Sequence, residues 1–305
     1  MTLRRPASLL DRLAPLSKAI LKELDRILTP SKAIPRSLQK AMRYAVFGPG
    51  KRIRPILLLE AAKVFGVPIR KALPFAAAVE FVHTYSLVHD DLPCMDDDDY
   101  RRGRLTCHKR FGEATAVLVG DALLALAFWS VSEGAKRGRI PSEKALSVLK
   151  ELSFASGCSG LIAGQVQDLE AEGRTLTLRK LSDVHQKKTG ALLTAAIRMG
   201  SILGDPSPHE LSLISRFGTL FGQVFQLADD ILDVIGNFKT LGKPAGSDRK
   251  NRKATAVSLL GLDEARRFAA DLSLEAHATL DRLETRNTRA FHQFLDYLLE
   301  RTNQP

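Results

Sequence analysis

His83–Gly103 reads HTYSLVHDDLPCMDDDDYRRG, and six of its residues are aspartates packed into ten positions: Asp90, Asp91, Asp96, Asp97, Asp98 and Asp99. Negative charge this dense repels itself unless cations neutralise it. An all-oxygen donor set suits hard ions, and Mg2+ takes one or two carboxylates together with the oxygens of a bound phosphate. Arg101 and Arg102 follow at once, and the guanidinium fork matches phosphate oxygens. Taken in isolation the run also reads as a solvated acidic loop.

A second stretch weighs against that plain reading. Phe225–Asp233 is FQLADDILD, and its neighbours Phe225, Leu227, Ile231, Leu232, Val234 and Ile235 are apolar, so the spacing predicts a largely buried helix. On that helix Asp229 and Asp233 are i,i+4 partners on one face, with Asp230 flanking and Gln226 a turn before. Like charges at this spacing destabilise a helix, and buried unpaired carboxylates cost more. Two such clusters in one chain are best explained as two walls of a single metal–diphosphate site.

Asp90, Asp91 and Asp96 form DD-x4-D followed by RRG, and Asp229, Asp230 and Asp233 form DD-x2-D. The pair resembles the first and second aspartate-rich motifs of the trans-isoprenyl diphosphate synthases. The inserted residues around Pro93 look like the bacterial farnesyl and plant-type geranylgeranyl branch. The likeness runs from about Tyr44 to about Ala265, with its motifs in order.

The resemblance extends to the basic residues. Tyr44–Pro55, YAVFGPGKRIRP, turns at Gly48-Pro49-Gly50 and opens a helical run, where backbone N–H groups and dipole attract phosphate. Lys51 and Arg54 match the Lys and Arg that hold isopentenyl diphosphate in the family, although Pro49 departs from the usual Gly-Gly. His83, about two turns or ~10.5 Å before Asp90 on the same helical face, matches a family contact to the same substrate, as does Arg102. Arg101, Lys188, Thr189, Gln226, Lys243 and Lys253 match contacts to the allylic diphosphate, with Thr189 and Gln226 presenting oxygen near the developing carbocation. Gly164, Gln165 and Asp168 resemble a GQ-x2-D element.

Tyr85 and Ser86 bear on product length. Ser86 shares the Asp90 face of an ideal helix, while Tyr85 lies to the side. An aromatic residue five positions before the inserted motif nonetheless resembles the farnesyl type, in which it stops chain growth; the alternative is ordinary packing. Lys187 reads as a surface charge, His89 as structural, and Gly134–Pro141 as a basic loop.

Composition sets the frame. The chain has 305 residues, 45% hydrophobic and 26% charged, as in soluble globular proteins. Three cysteines, Cys94, Cys107 and Cys158, without paired spacing suit a reducing, cytoplasmic setting. The net charge of +11 has no nucleic-acid motif to go with it, and aromatics are only 6%, so a nucleic-acid partner is not expected. The apolar stretch Ala122–Val131 is short of the ~20 residues a membrane span needs. No βαβ or GxGxxG pattern appears. The fold class is all-α: the period is 3.6 almost throughout, and the resemblance implies a single bundle of about ten or more helices around a central cavity, as a homodimer. Residues 1–35 read as a leader containing one amphipathic helix, Leu9–Leu28, and residues 36–305 as the catalytic domain.

The activity implied is that of a short-chain trans-prenyltransferase joining isopentenyl diphosphate to dimethylallyl or geranyl diphosphate. It would use about three Mg2+ ions per site, or Mn2+ in their place, and stop at farnesyl diphosphate. The alternatives are a geranylgeranyl or geranyl product, or a catalytically silent partner subunit, against which the intact aspartates count.

Overall fold

The computed structural model describes residues 9–174, 176–235 and 254–303. Helices α1 (Leu9–Ile27), α2 (Arg36–Val46), α3 (Ile53–Val64) and α4 (Ile69–Asp90) lead into a hairpin of β1 (Tyr100–Arg101) and β2 (Arg104–Leu105). Helices α5 (Cys107–Phe111), α6 (Glu113–Gly138), α7 (Ser142–Ser156), α8 (Leu161–Ala171) and α9 (Leu178–His185) follow. A π-helical turn, Gln186–Gly190, joins α9 to α10 (Ala191–Ile202), and α11 (Pro208–Ile235) is next. The described C-terminal part holds α12 (Ala256–Leu260), α13 (Leu262–Asp281) and α14 (Arg289–Asn303). The all-α expectation holds.

The middle of the bundle is α4. Residues Phe75–Val82 are buried all round, the pattern of a helix enclosed by others rather than one lying on a surface. Helices α3 and α6 pack on it, α10 packs on α3, and α11 packs between α10 and α13. Phe75 and Phe81 of α4 and Phe217 and Phe221 of α11 are fully buried, each contributing on the order of 1.5–3 kcal/mol of burial free energy. Close approach of α6 to α4 depends on Gly134, where a Cβ would collide with the ring of Pro74. The leader helix α1 buries Leu9, Leu13, Ile20 and Leu24 in the same core.

Three local features differ from expectation. Gly134–Gly138 is not a loop but the last turn of α6, which ends at Arg139 in left-handed backbone (φ 51) with its N–H returned to Ala135 and Lys136. Helix α6 contains an 18-residue window of mean hydropathy 1.8, so by length and composition alone it is long enough to cross a bilayer, which Ala122–Val131 did not reveal. Its buried residues Ala116, Val119, Gly120, Leu123 and Ala127 recur every three to four positions, the stripe of a helix packed on a core. The β1–β2 hairpin was not expected either. It pairs Tyr100 with Leu105 and Arg101 with Arg104, and two residues a side are too few to display alternation. Its turn residues Arg102 (φ 53) and Gly103 (φ 75) both adopt positive φ, the backbone that a two-residue hairpin needs.

Candidate active site

The basic side of the site is built by the loop before α3. Arg52 stands at the helix start in left-handed backbone (φ 53). Its buried guanidinium pairs with Glu80 of α4 and donates to the carbonyls of Val46 at 2.8 Å and Gly48 at 2.6 Å. Arg52 therefore fixes the loop, which leaves the neighbouring Lys51 exposed and Arg54 turned toward the interior of the site. The Lys51 ammonium donates to the Tyr297 hydroxyl at 3.0 Å. The Arg54 guanidinium lies 5.9 Å from the Phe225 ring centroid, and its Nε is buried without a partner. From the hairpin, Arg102 donates to the Pro49 carbonyl at 2.7 Å. Gly50 permits this docking, since a Cβ there would collide with the Arg102 guanidinium.

The first aspartate wall forms where α4 ends. Asp90 is the last helical residue and Asp91 the cap. The chain then doubles back: the Asp96 N–H donates to the Asp90 carbonyl at 2.8 Å and the Asp97 N–H to the Leu92 carbonyl at 3.1 Å. The inserted Leu92–Met95 segment thus returns the Asp96 backbone to that of Asp90. Asp91 is buried and accepts from Arg101 Nε at 2.5 Å. Burial pushes its carboxyl up to about 6 even though the Arg101 charge and hydrogen bond oppose this.

His83 shares a cavity with Arg52, Glu80, Asp91, Arg101 and Arg102. Burial, and then the charges of Arg54, Arg102, Arg52 and Arg101, hold its imidazole well below the usual range, so it is neutral at pH 7. A neutral imidazole can donate one hydrogen bond to an anion without adding to the charge.

The second wall lies on α11. Asp229 keeps access to solvent, yet protein surrounds it on most sides, and this crowding pushes its carboxyl up to about 6. Arg301, Arg54 and Lys51 pull it back down, and Asp230 adds to the rise. Asp230 and Asp233 are buried. Asp230 also has a structural duty: its Oδ2 accepts from the Ala256 N–H at 2.7 Å and its Oδ1 from the Gln226 amide at 3.0 Å. It thereby ties the start of α12 to α11, and Gln226 points its amide nitrogen at a carboxylate.

Lys188 and Thr189 lie in the π-helical turn, a local distortion common at functional sites. Gly164 of α8 packs directly against this turn, where a Cβ would strike the Lys188 backbone. The Lys188 ammonium donates to Asp168 at 2.6 Å. Tyr85 is buried, with its hydroxyl donating to the Ser156 carbonyl at 3.4 Å and its ring edge-on to His89 at 5.9 Å. Ser86 is also buried and donates to the His83 carbonyl at 3.0 Å. Lys243 and Lys253 lie outside the described residues.

Both walls fit divalent cations by their chemistry. They offer carboxylate oxygens, and Asp91 and Asp229 are crowded enough to hold protons well above the carboxylate range, a cost that bound cations relieve. The polyprenyl synthetase family model matches residues 35–287. The chain belongs to this family. It is 42% identical over 281 residues to a farnesyl diphosphate synthase of Escherichia coli, covering 91% of this chain and 94% of the relative. It is also 42% identical over 270 residues to a chloroplastic geranylgeranyl pyrophosphate synthase of Catharanthus roseus, covering 88% and 75%. Among solved structures, an FPP/GFPP synthase from Zymomonas mobilis in its apo form superposes with a TM-score of 0.82 at 36% identity, covering 95% of this chain and 99% of that one.

Membership of the polyprenyl synthetase family makes the chain a prenyltransferase, an enzyme class that requires a divalent metal. Sequence reasoning missed part of its charged surround. Tyr297 and Arg301 of α14 reach the site from the far end of the chain, Tyr297 by its bond to Lys51 and Arg301 by its charge on Asp229. Arg301 carried a weak signal, a lone C-terminal cation; Tyr297 and Glu80 carried none. Lys187, expected at the surface, pairs with Asp183 at 2.7 Å.

Proposed function

We propose that the chain is a short-chain trans-prenyltransferase that joins isopentenyl diphosphate to dimethylallyl or geranyl diphosphate and stops at farnesyl diphosphate. What carries the reading is the pair of carboxylate walls, linked through Arg54 and His83 to one basic pocket. Asp90, Asp91 and Asp96 on one side and Asp229, Asp230 and Asp233 on the other would hold about three Mg2+ ions, or Mn2+. Held by these carboxylates, the cations would supply positive charge to the allylic diphosphate as it becomes the leaving group.

The residues of the chain divide the remaining work. Arg101, Lys188, Lys243 and Lys253 stabilise the diphosphate as the allylic C–O bond breaks and its electron pair leaves with oxygen. Lys51, Arg54, His83 and Arg102 hold isopentenyl diphosphate so that its double bond attacks the allylic carbon, forming the new C–C bond. Such alignment is worth several kcal/mol, because the reaction becomes effectively unimolecular. Thr189 and Gln226 turn oxygen toward the developing cation. The proton lost from the condensed product goes to the released diphosphate.

Tyr85 closes the pocket after the third isoprene unit, and Ser86 lines the same wall. The geranylgeranyl alternative rests on the Catharanthus roseus synthase, which matches at the same 42% identity as the E. coli one over a slightly shorter length. The active form is a homodimer in the cytoplasm, with residues 1–35 as a leader and 36–305 as the catalytic domain. Exposed Leu118 and Trp129 on α6 and Leu146 and Phe154 on α7 support pairing of two copies.

The test is product analysis with labelled isopentenyl diphosphate and each allylic primer, with Mg2+ and with EDTA. Metal-dependent C15 product is expected. A C20 product overturns the chain-length assignment, and no product from any primer overturns the enzyme reading in favour of a silent subunit.

A further inference from the structure

Beyond the two aspartate walls, the acidic loop holds carboxylates for which the reaction has no use. One oxygen each from Asp97 and Asp99 and a ring nitrogen of His108 lie within 4.8 Å of one another. The two aspartates are exposed and the histidine is buried, 5% open. His108 adds an independent observation: its Nε2 is buried and has no hydrogen-bond partner. Its other nitrogen, Nδ1, is 3.1 Å from the Thr106 hydroxyl. With Nδ1–H donated to Thr106, the Nε2 lone pair is free to bind a cation, the arrangement in which metal-bound imidazoles are held.

We infer that Asp97, Asp99 and His108 form a further divalent-cation site, for a borderline ion such as Zn2+, that staples the acidic loop to α5. Its imidazole nitrogen distinguishes its donor set from the carboxylates of the two walls. Two carboxylates and one neutral nitrogen suit zinc or a similar transition ion, whereas Mg2+ prefers oxygen alone. The charges close as well, since two carboxylates balance one dication.

The position gives the site a purpose. Asp99 and His108 bracket the hairpin that carries Arg101 and Arg102, and the Thr106 N–H already donates to the Asp99 carbonyl at 3.0 Å. A cation bound to both flanks fixes the hairpin ends and hence the two arginines. Lys109, which pairs with Asp99 at 2.7 Å, is the cation it would replace or share.

The full chain, stripped with EDTA and dialysed, is titrated with Zn2+ alone by calorimetry, and retained zinc is counted by elemental analysis. One tight equivalent is expected. Asp97→Asn and Asp99→Asn, both at exposed positions, should lose at least tenfold in affinity, and Thr106→Val about 10–100-fold. Zinc should also raise the melting temperature of the wild type and not that of Asp97→Asn. Asp90→Asn should keep the zinc, as should His277→Ala, a change in a close pair of imidazoles elsewhere in the fold, where His277 of α13 and His292 of α14 bring their Nδ1 atoms to 2.6 Å. The inference is overturned if no zinc is retained, or if the Asp97→Asn and Asp99→Asn chains bind it as the wild type does. Loss of zinc from Asp90→Asn or His277→Ala instead would move the ion to the aspartate walls or to the His277–His292 pair, and would overturn it equally. None of these readouts depends on prenyl transfer.

Discussion

Replacing Glu80 by Leu tests what holds the substrate-binding loop in place. Glu80 and Arg52 are among the least exposed charges of the site, with side chains 2% and 6% open to solvent. Removing one member of a buried pair costs about 3–5 kcal/mol, because the other charge stays buried and uncompensated. The loss here should lie toward the upper end, since Arg52 cannot swing out to water while it also holds the carbonyls of Val46 and Gly48. At roughly 2 °C of melting temperature per kcal/mol for a chain of this size, the expected drop is roughly 6–10 °C. The double variant Arg52→Met/Glu80→Leu should recover most of that stability, as apolar replacements of buried pairs often do. It should not recover function: the two loop carbonyls lose their donor, the loop bearing Lys51 and the start of α3 bearing Arg54 loosen, and KM for isopentenyl diphosphate rises with kcat less affected. Thermal melts and steady-state kinetics on the wild type, the single variant and the double variant read both effects. A single-variant loss under about 1 kcal/mol would refute the reasoning, as would a double variant with unchanged KM.

The raised carboxyls of Asp91 and Asp229 predict an acid limit on metal binding. Their folded-state values near 6 lie above the unfolded value of 3.8, so the metal-free chain gains stability from them as pH falls through 6, and that contribution is complete below about 4. Metal needs the deprotonated form, so affinity should fall up to about tenfold per pH unit per ligand below pH 6; equal Mn2+ affinity at pH 5.5 and 7.5 would contradict this. Tyr85→Ala should lengthen the product from C15 to C20 or beyond at a stability cost of about 3–5 kcal/mol, and C15 as the sole product of the folded variant would assign Tyr85 to packing. Lys188→Gln, which removes a charge at the π-helical turn and its ion pair with Asp168, should lower kcat on the order of 10²–10³-fold, read by single-turnover kinetics; an effect on KM alone would place Lys188 in ground-state binding.

What the sequence disclosed and what it hid divide along contact range. The helices were legible because their apolar period is local, and both aspartate motifs stood out because each cluster lies within one turn or one short loop. The return of the Asp96 backbone to Asp90 was not legible in that spacing, because it depends on the hydrogen bonds that close the four-residue detour. Contacts made across the chain left no such trace. Tyr297 meets Lys51 across 246 residues, and Glu80 neutralises Arg52 from another helix; nothing in the spacing of a lone Tyr or Glu reveals a distant partner.

Asp230 shows a subtler limit. The DD-x2-D pattern offers its three carboxylates as equals, but tertiary structure gives Asp230 the Ala256 N–H and the Gln226 amide as partners. Asp229, more open to solvent, feels Arg301, Arg54 and Lys51. One motif thus serves two purposes: Asp230 fastens the start of α12 to the bundle, and Asp229 is the member we propose for the ligand. A change at Asp230 should therefore cost stability as well as metal affinity, whereas Asp229→Asn should weaken metal binding without a loss of stability at neutral pH.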